Sequence, residues 1–382
     1  MPSSRKSSSR RRSGDFFAVI LLLAILTGFG WLWWQQKYPA KKNTPKPKTA
    51  IAIPANAAKP AKLKPGLPAI VRQDISGATN APQSVSNAVV FVPQSEFPRS
   101  VRDVLEAQVA LARLTFSPGS IDAAMGSQTR AAIAAFQRSQ KLPETGQLDT
   151  NTRPHLTLQM PVMTHYVVTT NDLGRLQPLG KTWLAKAQQS ALDYETVLEL
   201  VAEKAHSHPL LIRKLNPDVN WTNVMAGTVL TLPSVNYPKP AEKAAFVVIH
   251  LSQRFLEAFD DNTNLLAHFP CSIAAKVEKR PVGELHVVVV APNPNYTVNP
   301  ELFPESTELQ ALGHKLILKP GPNNPVGVAW IGLDRPGYGM HGTPVPEQVG
   351  RTESHGCFRL ANWDAEYMVK LVWVGMPVAV VP

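Results

Sequence analysis

The chain has 382 residues, a length that suggests two or three folded units once any tails are removed. Hydrophobic residues make up 44% of it, enough for packed cores, whereas 35 prolines and only 18% charged residues indicate that part of the chain is an extended linker. Its two cysteines exclude a disulfide-rich scaffold and a zinc finger built from cysteines alone.

The net charge of +11 is unevenly distributed. Residues 1–65 hold 13 of the 39 lysines and arginines but a single acid, Asp15. The remainder of the chain is therefore close to neutral, and no nucleic-acid partner is predicted.

The N-terminus has the pattern of a membrane anchor. A basic tail, residues 1–15, precedes an uncharged apolar run at 16–34, which is just long enough to span a bilayer as a helix. Because the basic flank lies on the N-terminal side, that end is expected in the cytoplasm and the rest of the chain outside it. A cleaved signal peptide is the alternative. Residues 35–98, rich in proline, lysine and alanine, then predict an extended linker.

Residues 99–160 predict a small three-helix unit. Apolar residues from Val104 to Leu114 recur on one helical face, Ser127 can cap a second helix, and Asp149 can start a third. The segment resembles the peptidoglycan-binding domain type 1 family, which implies binding to the cell wall; an inert helical spacer is the alternative. The resemblance is carried by Gly119, Ile121, Asp122, Met125, Gly126, Thr129, Arg130, Ala132, Phe136, Gln137, Leu142, Gly146 and Asp149.

Residues 164–235 predict a strand, two helices and a closing strand. A strand at 165–168, a helix at 194–205, a Leu-Asn-Pro turn and a strand at 227–233 resemble a LysM module, which implies glycan binding. Residues 172–193 are interpreted as an insertion. His206 and His208 lack further ligands at metal-site spacing, so exposed histidines at a helix end are expected.

Residues 244–382 consist mainly of short β-rich runs separated by turns, which predicts an all-β sandwich or barrel. One helix is expected, with Asn362 as its cap and Gly375 at its end.

Two motifs in this region predict thiol chemistry: Met340-His341-Gly342-Thr343 and Ser354-His355-Gly356-Cys357-Phe358-Arg359-Leu360. A cysteine is a good nucleophile only as its thiolate, so it needs a base, which His341 can supply. Glycine lets backbone amides approach a developing oxyanion, so the amides of Gly356 and Cys357 are candidate oxyanion donors. A structural cysteine and an unrelated histidine are the alternative.

These motifs resemble the L,D-transpeptidase catalytic domain, the YkuD family. The resemblance implies that Cys357 attacks a peptide carbonyl of peptidoglycan and that His341 acts as base and then as acid. It implies that the substrate and oxyanion pocket is shaped by Ser354, His355, Gly356, Arg359, Gly342 and Thr343. It further implies that the enzyme acts on tetrapeptide stems, forms 3-3 crosslinks and is inhibited by carbapenems. Together with the predicted anchor, it implies a bacterial inner-membrane protein with its catalytic domain in the periplasm.

No cofactor or metal is expected, since His341 and Cys357 lack further spaced ligands. Cys271, in a β-like run, is expected to pack in the core, and both thiols are expected to be reduced. Three alternatives remain: an L,D-carboxypeptidase or protein-to-wall ligase with the same nucleophile, another thiol peptidase, and a non-catalytic membrane-to-wall anchor. The thiol peptidases considered place cysteine before histidine in the chain, the reverse of the order here.

Overall fold

The structure is a computed structural model that describes residues 96–352, 354 and 356–382. The predicted basic tail, membrane anchor and nearly all of the linker lie outside these residues. Among the described residues, no helix is both long and apolar enough to cross a membrane.

The first folded part contains two helices and a short two-stranded sheet. They are β1 (Arg99–Ser100), α1 (Val104–Arg113), α2 (Ser127–Ser139) and β2 (Thr157–Leu158), with β1 and β2 antiparallel. The Asp103 side chain caps α1 by accepting from the Glu106 amide at 2.9 Å. Apolar side chains from both helices and from β2 form the core, including Leu111, Ile133, Phe136 and Leu158.

The prediction of a third helix in this part is wrong. Asp149 does accept hydrogen bonds from the amides of Asn151 and Thr152, as a cap would. The chain nevertheless forms only a turn there, because Pro154 lacks an amide hydrogen and disfavours the helical conformation of the residue before it. The cap of α2 is Gly126, one residue before the predicted Ser127.

The second folded part has the predicted order of strand, helix, helix, strand. Its outer strands pair antiparallel, with His165 opposite Thr231. The predicted insertion forms two further short helices. The elements are β3 (Met163–Val167), α3 (Thr170–Gly174), α4 (Trp183–Gln188), α5 (Val197–Lys204), α6 (Pro209–Leu215) and β4 (Val229–Pro233). Membership of the LysM family stays a prediction.

The expectation of exposed histidines at the end of α5 is wrong. The His206 ring stacks on Trp363, with ring centroids 5.0 Å apart, and meets Tyr237 edge-on. His208 is half-buried and caps α6, since its Nδ1 accepts from the Leu210 amide at 3.1 Å. Aromatic packing and capping thus partly bury these two side chains.

The third part is a mainly-β domain built on one eight-stranded sheet of order β13-β12-β11-β8-β14-β5-β6-β7. The strands are β5 (Phe246–His250), β6 (Phe255–Phe259), β7 (Leu265–Pro270), β8 (Gly283–Pro292), β9 (Tyr296–Val298), β10 (Leu316–Leu318), β11 (Ala329–Leu333), β12 (Gly339–His341), β13 (Phe358–Arg359) and β14 (Pro377–Val381), with β9 and β10 as a separate pair. Two helices, α7 (Thr307–Leu312) and α8 (Asn362–Leu371), and three short 3-10 turns, at Val277–Lys279, Pro300–Leu302 and Pro346–Gln348, complete it.

The sheet curls until its two edges meet. Strand β8 pairs with β14 through its first residues and with β11 through its later ones, so the two halves of the sheet are offset. Ser272, just after β7, exchanges backbone hydrogen bonds of 2.8 and 3.0 Å with Arg359 of β13. This closure is how a single sheet satisfies the predicted sandwich or barrel pattern.

Helix α8 packs on the apolar side of the curled sheet through Ala365, Met368 and Leu371. It ends at Leu371, four residues before the predicted Gly375. Its N-cap is Ala361, and the predicted cap, Asn362, is the first helical residue, so its side chain is available for other contacts.

Candidate functional site

Two short parallel strands hold the predicted nucleophile and base. Strands β12 and β13 pair so that Met340 lies opposite Phe358 and His341 opposite Arg359. Cys357 comes directly before β13, beside Gly339 in the same register. Because strand side chains alternate between faces, this register places His341, Arg359 and Cys357 on one face of the strand pair.

The backbone fixes the tautomer of His341. Its Nδ1 lies 2.6 Å from the carbonyl oxygen of Gly342. Since a carbonyl only accepts hydrogen bonds, we assign the ring proton to Nδ1, which leaves the lone pair of Nε2 to take a proton from a thiol. Trp330, opposite His341 on β11, stacks on the ring with centroids 5.7 Å apart and so restricts its rotation.

Burial controls the charge of His341. The residue is 6% exposed, and burial lowers the pKa of its imidazole to about 4; the Gly342 hydrogen bond opposes this shift and the Arg359 charge adds to it. The ring is therefore neutral at pH 7 and can act as a general base.

Cys357 is also neutral at rest. Its Sγ is half-buried and donates to the carbonyl oxygen of Gly337 at 3.3 Å. Burial raises the pKa of this thiol to about 11, and a hydrogen bond from the Gly339 amide opposes the shift. The sulfur therefore carries its proton at neutral pH, and a base is needed to remove it.

Ser354 shapes the loop in front of the nucleophile. Its hydroxyl donates to the carbonyl oxygen of Cys357 at 2.5 Å and accepts from the Gly356 amide at 3.2 Å. Its own amide donates to the Ile273 carbonyl at 2.8 Å, which ties the loop to the chain after β7. The Gly356 amide is thus engaged within the loop, whereas the Cys357 amide has no acceptor among the described residues. His355, the neighbouring predicted site residue, lies outside them.

Arg359 and Thr343 share a cavity of about 300 Å³. The Arg359 guanidinium donates to Thr352 Oγ1 at 3.0 Å, and burial lowers its pKa. The cavity is lined by Ser272, Thr343, Val345, Gln348, Val349, Thr352 and Arg359. It offers hydroxyl and cationic groups beside Thr343, two residues after His341.

Asn362 is a site residue that sequence reasoning missed. Its Oδ1 accepts from the amides of Thr343 at 3.0 Å and Val328 at 3.3 Å, and its Nδ2 donates to Glu203 Oε2 at 2.9 Å. A Cβ at Gly342 would lie 2.3 Å from this Oδ1, so glycine is required there. Asn362 therefore holds the segment whose carbonyl orients His341. The sequence carried no signal of this role, because an asparagine at a helix start is explained equally well as a cap.

Cys271 packs in the core, as predicted: its side chain is fully buried and burial raises its pKa to about 12. Both cysteines are free thiols. Within the described residues, no three histidine, cysteine, aspartate or glutamate side chains are grouped so that they could hold a metal ion.

Comparison with known proteins identifies two of the folded parts. Residues 244–380 match the L,D-transpeptidase catalytic domain of the YkuD family, and residues 100–156 match a peptidoglycan binding domain family. By domain class, the chain thus contains an L,D-transpeptidase catalytic domain and a peptidoglycan-binding domain.

Individual relatives agree with that class. YkuD of Bacillus licheniformis is 24% identical over 185 residues, which cover 48% of this chain and 93% of that protein. YqjB of Bacillus subtilis is 34% identical over 105 residues, 26% of this chain and 51% of that protein. Both carry the name L,D-transpeptidase. Among solved structures, L,D-transpeptidase 3 of Mycobacterium tuberculosis with a faropenem-derived adduct is 18% identical, covers 42% of this chain and 76% of that one, and has a TM-score of 0.28.

Proposed function

We propose that this chain forms peptidoglycan crosslinks through a thioester on Cys357. The sulfur attacks the L-centre carbonyl of the third residue in a tetrapeptide stem, and its proton passes to Nε2 of His341. The tetrahedral intermediate collapses as His341 returns that proton to the departing amine of the terminal D-alanine. The amine of a second stem then attacks the thioester, forms a 3-3 crosslink and regenerates the thiol.

The hydrogen bond between His341 Nδ1 and the Gly342 carbonyl carries this proposal. It leaves Nε2 as the unprotonated nitrogen, on the strand face that also bears Cys357. A cysteine buried without such a base, as Cys271 is, would stay a thiol at neutral pH.

Muropeptide analysis after incubating the full chain with isolated sacculi tests the proposal. We expect 3-3 crosslinked dimers and free D-alanine with the wild-type chain and neither with Cys357→Ala. Tripeptide stems without dimers would indicate a carboxypeptidase that transfers the acyl group to water. Stems attached to protein would indicate a ligase. Wall binding that is equal in both chains, with no change in the muropeptides, would indicate a non-catalytic anchor.

The same thiol chemistry supports inhibition by carbapenems. A strained β-lactam carbonyl is an acyl donor, and attack by Cys357 would open the ring and leave a covalent adduct on sulfur. Cys357→Ala should form none.

We propose that the strand-helix-helix-strand part binds glycan. We further propose that residues 16–34 form a single-pass inner-membrane anchor, which would place the folded parts in the periplasm. The apolar length of the first segment and the flanking arginines support the anchor. Deleting residues 1–34 should move the protein from the membrane fraction to the soluble fraction. Retention in the membrane fraction would contradict the anchor.

A further inference from the structure

A groove of about 630 Å³ lies between the peptidoglycan-binding domain and the catalytic sheet. Helix α2 forms one wall with Gln128, Ala131 and Ala134, and the turn between β5 and β6 forms the other with Ser252 and Gln253. Its volume lies within the range of binding sites for small ligands, roughly 300 to 1,000 Å³. Both domains contribute to the groove, so neither forms it alone.

A buried histidine in this groove has an unused hydrogen-bonding atom. His268 is 1% exposed and lines the groove, and its Nδ1 lies 3.0 Å from Glu257 Oε1. Because a carboxylate accepts only, we assign a proton to Nδ1. Among the described residues, Nε2 has no hydrogen-bond partner. Buried polar atoms are seldom left unpaired, which points to a partner supplied from outside, such as a ligand hydroxyl, which can both donate and accept.

The charges around the groove are already compensated. Arg138 pairs with Glu257 and, at 3.3 Å, with Glu144. Arg254 donates to the Gly350 carbonyl at 3.1 Å. An anionic polymer would have to compete with these contacts. The remaining lining groups are hydroxyls, amides, small apolar side chains, His268 and the Phe255 ring, a mixture that suits an uncharged, hydroxyl-rich ligand.

One end of the groove adjoins the cavity of about 300 Å³ described above. Gln128 of α2 donates through Nε2 to the Val349 carbonyl at 2.6 Å. Val349 also lines the cavity that contains Thr343 and Arg359, and the neighbouring Gly350 donates to Ser272 Oγ at 2.9 Å. A polymer lying in the groove would therefore hold its side branches beside that cavity.

We propose that this composite groove binds the glycan strand of peptidoglycan and presents the attached stem peptide to Cys357. The inference rests on the proposed function for its substrate. It assigns the sugar-binding surface to the junction of the two domains, whereas the family of residues 100–156 alone would place binding on that domain.

Two substitutions on opposite walls test the groove in the full chain. Ala134→Trp on α2 and Gln253→Trp on the β5–β6 turn each fill it. Gln140→Trp is the matched control, since Gln140 is exposed at the end of the same helix but does not line the groove. The probe is glycan strands freed of stem peptides by amidase digestion, and binding is measured by titration calorimetry. Circular dichroism and thermal unfolding show that each variant is folded.

We expect both wall variants to bind glycan at least tenfold more weakly than wild type and Gln140→Trp, while their acylation by a soluble tetrapeptide stays within about twofold of wild type. Glycan binding that is equal in all four chains, or no binding by wild type, would overturn the groove assignment. Loss of glycan binding from only one wall variant would contradict the joint site. Failure of wild type to react with the soluble tetrapeptide would instead count against the proposed function, because that substrate has no glycan.

Discussion

At the scale of single residues, the proposed base His341 and the proposed nucleophile Cys357 are both uncharged at neutral pH. The pKa of His341 is lowered to about 4 and that of Cys357 is raised to about 11, in both cases chiefly by burial. Proton transfer from sulfur to imidazole is therefore strongly unfavourable until a carbonyl carbon accepts the sulfur electrons. With these pKa values the resting thiol is protonated, and a protonated thiol is less susceptible to oxidation than a thiolate.

The pH dependence of acylation follows from these values. Only neutral His341 can accept the thiol proton, so we expect the acylation rate to stay nearly constant from pH 8 down to about 5 and to fall as the pH drops through about 4. The second-order rate constant for acylation by a carbapenem, measured with circular dichroism at each pH, checks this. A fall centred near 6.5, the ordinary pKa of histidine, would mean that the ring is not buried as described.

Replacing the base should slow acylation without preventing folding. In His341→Gln the side-chain amide can still donate to the Gly342 carbonyl but cannot take up a proton, so we expect acylation to slow by roughly 10²- to 10⁴-fold. His314→Gln, at an exposed position, is the control. Equal rates in His341→Gln and wild type would remove His341 from the mechanism.

At the scale of elements, Asn362 connects α8 to the segment that carries His341. Asn362→Ala removes the acceptor for the amides of Thr343 and Val328. An unpaired buried amide costs roughly 1–3 kcal/mol, so we expect a comparable loss in the free energy of unfolding and slower acylation of Cys357. Asn151→Ala, on an exposed turn of the peptidoglycan-binding domain, should change neither quantity. If Asn362→Ala is less stable than wild type but its acylation rate is unchanged, Asn362 has a structural role only.

The elements show what the sequence could predict. Strand positions, α8 and the motifs around His341 and Cys357 follow from local patterns, because alternation, turn residues and motif spacing are local properties. The prediction of a third helix was wrong because Pro154 interrupts the helix that Asp149 would have capped. The pairing of Ser272 with Arg359 and the contact of Asn362 with Glu203 join residues far apart in the chain, so no local pattern indicates them.

At the scale of the whole molecule, the strand-helix-helix-strand part contributes a buried carboxyl to the catalytic domain. Glu203 of α5 accepts from Asn362 at 2.9 Å and from the Tyr194 hydroxyl at 3.0 Å. Burial raises its pKa to about 7, the nearby Glu199 adds to the shift, and the hydrogen bonds and the charge of Arg175 oppose it. The contact makes the stability of two folded parts depend on one protonation state.

Glu203→Gln should reveal this dependence. In the unfolded chain the carboxyl of Glu203 loses its proton near its ordinary pKa of 4.5. In the folded chain it loses its proton near pH 7, because its pKa there is about 7. The stability it contributes is thus present below about 4.5 and lost as the pH rises through about 7, a change of about 3 kcal/mol. We expect the free energy of unfolding of Glu203→Gln, relative to wild type, to rise by that order between pH 5 and 8. A difference that is independent of pH would mean that Glu203 is ionised throughout.

The central claim is that Cys357 carries the acyl group, and intact-protein mass spectrometry tests it most directly. Wild type, Cys271→Ala and Cys357→Ala are mixed with a soluble tetrapeptide stem and quenched in acid, which preserves thioesters. We predict a tripeptidyl adduct on wild type and on Cys271→Ala, and none on Cys357→Ala. An adduct that persists in Cys357→Ala, or that disappears in Cys271→Ala, would contradict the account.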